Sequence, residues 1–174
     1  DITANPGSNK QACAALDAFD SDGANKGVTD AWNQHYSVIK AANLITESAS
    51  KAPVAQDKID VALGNAHFWR AYAYYYLVRV FGPVPLITGT DVSQLEVAPS
   101  SVEKVYELIV SDLKAAVNEL PTKYEKEPSR LFGVDIWTTK QAAQATLSAV
   151  YMSMAGYPLN KGTEYYKLAA EQAK

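Results

Sequence analysis

His35 and His67 are the two imidazoles of this 174-residue chain, and acid–base or metal chemistry would be sought there first. A catalytic histidine needs a nucleophile or a carboxylate brought to it, and no spacing marks one. The chain has no G-x-S-x-G, no H-E-x-x-H, no phosphate-cradling G-x-x-x-x-G-K and no dinucleotide G-x-G-x-x-G. Both histidines fall within helical patterns and read as satisfied structural residues. Asp20, Asp22 and Gly23 suggest a calcium loop until the register is written out. With Gly23 at the sixth position, Ala18 stands at the first and Thr29 at the twelfth, where carboxylates are essential, so the stretch reads as a turn. Glu125, Glu127 and Asp135 could be drawn as a carboxylate pair, but a solvated connector accounts for them. No catalytic constellation, metal site or cofactor motif is expected, and the chain is read as a non-enzyme.

Composition narrows the remaining classes. A hydrophobic fraction of 48% suffices for a packed core and argues against disorder. The formal net charge is only −3 with lysines and arginines scattered, so the basic stripe of a nucleic-acid binder is missing. No apolar run reaches the ~18–20 residues of a membrane span, and residues 67–81 would have to carry Arg70 and Arg79 into lipid. Residues 1–12 lack the basic start and apolar stretch of a signal peptide. Cys13 cannot form an internal disulfide, which leaves the redox compartment open. The helical pattern of TEYYKLAAEQAK stops in mid-course at Lys174, as expected of part of a longer protein.

The elements that must position any site are helices. Spacing and caps predict them near 30–48, 56–81, 101–120, 138–155 and from 163 onward, with a short one at KQACAALDAF. Thr29 or Asp30 can cap the first, Ser100 and Glu103 form a capping box for the third, and Thr138 with Gln141 forms a second box for the fourth. Gly82-Pro83 ends the second. Helices joined by short links favour antiparallel pairs. The expected class is all-α: stacked antiparallel helix pairs in a tetratricopeptide-like superhelix, without a regular 34-residue repeat. Residues 1–28 form an N-terminal loop segment and 29–174 the helical domain. The second helix carries Phe68, Trp69, Tyr72, Tyr75 and Tyr76 on several sides, so it is predicted to be packed on most of its circumference with these rings buried. Arg70 and Arg79 then need a carboxylate or helix-end carbonyls as partners.

Four blocks carry a resemblance. FWRAYAYYYLVRVFGPVPLIT resembles the SusD/RagB signature helix F-L-R-A-x-x-Y-x-x-L-V-R-x-F-G followed by x-V-P-L. WNQHYSVIKAANLI, VEKVYELIVSDLKAAVNELP and TKQAAQATLSAVYMSMAGYPLN are similar to three further family helices, in the same order. The match covers residues 29–174. One departure is that Ile136 and Trp137 occupy places where the family often has Gly-Arg before its Thr-Lys pair.

The resemblance implies what no periodicity could. Members are surface lipoproteins of the outer membrane in Bacteroidetes-type bacteria. They bind glycans or other nutrients without catalysis and lid a TonB-dependent, SusC-like transporter. Full members are much longer, so this chain is expected to be an N-terminal portion whose lipid anchor lies upstream; Cys13, preceded by polar NPGSNKQA, is not that anchor. In relatives, ligand-facing residues often come from the loop before the first shared helix. That loop holds Phe19, Asp20, Asp22, Asn25 and Lys26 here, while Tyr124, Phe132 and Trp137 stand in the 121–137 connector. Phe19, Asp22, Asn25 and Trp137 are the ligand-binding residues expected. Trp32 is read as core. The alternative function is a tetratricopeptide-like adaptor binding a protein or peptide partner.

Overall fold

The computed structural model describes residues 10–91, 96–124, 130–131, 134–135 and 137–174. Among them are six α-helices: α1 Lys10–Asp17, α2 Lys26–Ser48, α3 Gln56–Phe81, α4 Val102–Glu119, α5 Lys140–Ala155 and α6 Thr163–Gln172. A 3-10 turn, Ala49–Lys51, follows α2. Among the described residues strand structure is confined to two antiparallel pairs of two-residue strands. Val84–Pro85 (β1) pairs with Pro99–Ser100 (β2), and Arg130–Leu131 (β3) pairs with Val134–Asp135 (β4). The all-α class holds.

The helix starts differ from expectation for one physical reason. Several consecutive Ser, Thr, Asp or Asn residues can each cap, and the backbone turn before them decides which one does. Asn25 caps α2, its Oδ1 accepting from Gly27 N at 2.9 Å and Val28 N at 3.4 Å. Thr29 turns its hydroxyl back onto the carbonyls of Asn25 and Lys26, and Asp30 pairs with Lys26 at 2.6 Å. Ser101 caps α4 and Thr139 caps α5, each one residue later than the predicted boxes. Glu103 is engaged instead by Lys161.

The chain divides into two compact units, Asp1–Ser37 and Val38–Lys174, and α2 contributes to both. In the first, Asn25 donates to Ala12 O at 3.0 Å and so fastens the loop to α1. Trp32 leans on Tyr36 with ring centroids 4.9 Å apart, and it is half-buried where a core position was expected.

In the second unit each helix from α3 to α6 packs on the next. The pairs run antiparallel: His67 of α3 meets Glu119 near the end of α4, and Tyr75 meets Tyr106 near its start. Ser148 of α5 likewise donates to Ala169 O of α6, while Tyr151 contacts Tyr165. Tyr74, Leu77, Ile109, Leu113, Leu147 and Val150 are fully buried. Each aliphatic residue of that kind contributes about 1.5–3 kcal/mol of transfer free energy. The second half of α2 holds the segment after α3: Asn43 donates to Ile87 O and Gly89 O, and Glu47 accepts from Thr90 N.

The expectation that α3 buries its rings on all sides is overturned. Phe68 and Tyr74 are buried, but Trp69 is 47% exposed, Tyr72 46%, Tyr76 39% and Val80 56%. These four recur at spacings of three and four, so they share one stripe. The stripe faces away from α4.

Arg70 is 7% exposed and paired as expected. Nε and Nη2 donate to the two Asp112 carboxylate oxygens at 2.7 and 2.8 Å, and Nη1 donates to Asn43 Oδ1 at 2.8 Å. Arg79 departs from expectation. Its guanidinium lies over the Tyr75 ring, 4.9 Å from the centroid, and among the described residues it pairs with no carboxylate.

Candidate functional site

In the loop before α2, Phe19 has φ 55° and is 97% exposed. A positive φ is unfavourable for a bulky residue, and here it places an aromatic ring entirely in solvent. Asp22 closes the turn by accepting from Ala24 N at 2.9 Å. Both ends of the Asn25 amide are engaged, one as the α2 cap and the other on Ala12 O. The loop therefore presents Phe19 outward on a frame built by Asp22 and Asn25.

Trp137 belongs to the other unit and is 50% exposed. Tyr124 meets it edge-on, with centroids 6.0 Å apart at 62°. Tyr124 is itself fixed by donating to Thr138 O at 2.8 Å. Beside the indole opens a recess of about 460 Å³ lined by Ile45, Lys58, Val61, Ala62, Asn65 and Trp137. Asn65 donates its amide to Val61 O at 2.8 Å and to Tyr124 Oη at 3.5 Å. No described residue donates to its Oδ1. Lys58 is exposed and has no carboxylate partner among the described residues. An indole face, an open amide acceptor, a cation and an apolar floor are the chemistry of a shallow polar-ligand site.

The sequence reading included Trp137 but passed over Lys58 and Asn65. Their signal was present in the 58, 62, 65, 69, 72, 76 spacing. This sets the recess and the exposed Trp69, Tyr72 and Tyr76 on one face of α3. Rings on the other faces hid it.

Residues weighed for catalysis are held structurally. His67 Nδ1 lies 2.7 Å from Glu119 Oε2, and His35 Nδ1 lies 2.6 Å from Ala31 O one turn back. Among the described residues no three His, Cys, Asp or Glu side chains gather as a metal set, and no described helix is long and apolar enough to cross a membrane. Glu125, Glu127, Phe132 and Ile136 lie outside the described residues.

A SusD-like family model, described as starch-binding and associating with outer membrane, matches residues 4–152. The chain belongs to the SusD-like family. A SusD-like protein of Formosa agariphila is 32% identical over 139 residues, 78% of this chain and 26% of that protein. A SusD superfamily structure from Parabacteroides distasonis superposes with a TM-score of 0.80 at 27% identity, covering 98% of this chain and 35% of that one. A second similar structure is recorded with xylogluco-oligosaccharide, at a TM-score of 0.77 and 26% identity over 98% of this chain and 33% of that one. This SusD-like chain thus spans about a quarter to a third of the length of the relatives it matches.

Proposed function

We propose that the full-length protein binds a glycan at the outer-membrane surface, without turning it over, and passes it to a TonB-dependent, SusC-like transporter. Membrane association in this reading comes only from a lipid anchor upstream of these residues. The observation that carries it is the family match over residues 4–152. The similar structure with xylogluco-oligosaccharide supports a sugar as the ligand class. The recess beside Trp137 supports it chemically, since sugars stack C–H faces on aromatic rings and hydrogen-bond their hydroxyls to fixed polar groups. Phe19 and Asp22 in the N-terminal loop are proposed as further ligand contacts, with Asn25 holding that loop in shape. Phe19, with its ring in water, is the natural candidate for direct stacking.

The test is affinity electrophoresis and calorimetry of the full-length protein against neutral and acidic polysaccharides, with Trp137→Ala and Phe19→Ala alongside. Binding that weakens about two- to tenfold in one variant, with an unchanged melting temperature, supports the reading; one aromatic stacking contact is worth roughly 0.5–1.5 kcal/mol. Failure to bind any glycan, with retention of a peptide or protein ligand, would favour the adaptor alternative. Delivery is tested by co-purification with a transporter from outer membranes.

A further inference from the structure

The corner where α3 ends is not part of the recess beside Trp137. Gly82 takes φ 73° there and lets the chain turn through Pro83 into β1. Around that turn Arg79 and Val78 face Val102 and Tyr106 of α4, Ser153 of α5 and the Tyr157-Pro158 pair that follows, enclosing about 510 Å³. That volume lies within the range of small-molecule sites, ~300–1,000 Å³.

Three features say what would fit. First, Arg79 is exposed, held over the Tyr75 ring, and without a carboxylate among the described residues. Glu103 stands beside Val102 but is already bound by Lys161, so no carboxylate among the described residues compensates the positive charge of the cleft. Second, two hydroxyl-bearing side chains line it: Ser153, whose Oγ lies 2.6 Å from Tyr75 Oη, and Tyr106, whose phenol is pushed up by burial. Third, the Tyr157 ring on the rim is 89% exposed. A cation in the last helical turn also complements the helix dipole. That alone would explain Arg79 in a closed corner, but it leaves the open cleft before it without a purpose. A guanidinium grips a carboxylate through two parallel hydrogen bonds, an aromatic ring takes a C–H face, and hydroxyls meet hydroxyls. One ligand unit offers all three.

We propose that this cleft is a subsite for a uronic acid residue of an acidic glycan, Arg79 binding the carboxylate and Tyr157 covering the sugar ring. The proposal rests on the glycan-binding reading above and narrows its substrate class.

The experiment titrates the full-length protein with galacturonic acid oligosaccharides, with the same oligosaccharides methyl-esterified, and with neutral glycans. Arg79→Gln, Arg79→Lys and Tyr157→Ala are measured beside the parent. The acid is expected to bind about tenfold tighter than its ester, the scale of one charge-assisted contact. Arg79→Gln should abolish that preference and Arg79→Lys should retain part of it. Tyr157→Ala should weaken acid and ester equally, and all three variants should melt with the parent. Acid and ester binding alike, or Arg79→Gln binding the acid as the parent does, overturns the subsite while neutral-glycan binding leaves the broader reading standing. Loss of transporter co-purification in Arg79→Gln with unchanged sugar titrations also overturns it, assigning Arg79 to a protein partner. No binding of any glycan overturns both.

Discussion

Arg70 carries a full charge into the interior, and its geometry explains why that is tolerated. Burial alone would lower its pKa, but the hydrogen bonds and charge of Asp112 prevail and hold it above the ordinary arginine value. Removing one member of such a pair leaves an orphaned buried charge, so Asp112→Ala is expected to destabilise by about 3–5 kcal/mol. The double change Arg70→Met with Asp112→Leu should be milder, because no charge remains to be orphaned; urea unfolding of both variants checks the order. Tyr74 makes a second prediction. Its hydroxyl accepts from Ile87 N at 2.7 Å and donates to Ile87 O at 3.2 Å, tying the segment after α3 to the helix. Burial pushes its pKa up to about 12, against a partial opposing pull from the Ile87 hydrogen bond. A folded-state pKa above the unfolded value of 10 means that the folded protein keeps a proton which the unfolded chain loses. The contribution is complete below pH 10 and falls away as pH rises to about 12. Tyr74→Phe should therefore lose about 1–2 kcal/mol at neutral pH through the orphaned Ile87 amide. It should also show a shallower decline between pH 10 and 12 in melts across that range.

At the scale of elements, α3 separates two kinds of aromatic residue. Phe68→Ala should destabilise by roughly 3–5 kcal/mol, as large-to-small core changes do. Trp69→Ala, with its ring about half in solvent, should lose about 1–2 kcal/mol by the area it still covers. Equal losses in chemical denaturation would mean that the stripe is packed after all. Gly64 tests how closely α3 and α4 approach. A Cβ there would lie 2.8 Å from Leu120 Cγ and 3.1 Å from Glu119 Cβ. Alanine gains about 1 kcal/mol of helix propensity, but displacing a buried leucine costs about 1–3 kcal/mol. Gly64→Ala is expected to lower the melting temperature despite the better helix former.

For the whole molecule, the length ratio governs what can be tested. This chain spans about a quarter of a curated relative, so the greater part of that relative's length has no counterpart in it. The isolated chain is expected to bind glycans weakly or not at all, and the full-length protein to bind them and release no reducing sugar from a broad polysaccharide panel. Release from any of them would end the non-catalytic reading.

Helix positions were legible because apolar spacing and the Gly82-Pro83 stop are local properties of the chain. The bounds of α3, residues 56–81, were read without tertiary information. So was the need of Arg70 for a partner, because an unpaired buried charge is untenable in any fold. Which cap is used, and which side of α3 meets water, depend on what stands opposite. Asn25 prevailed over Thr29 through a turn that brings Ala12 O within reach, a contact across thirteen residues. Trp69 and Phe68 are neighbours in sequence and alike in hydrophobicity. Only the elements packed around α3 put Phe68 in the core and leave Trp69 exposed, since burial is a property of the assembled surfaces and not of the residue.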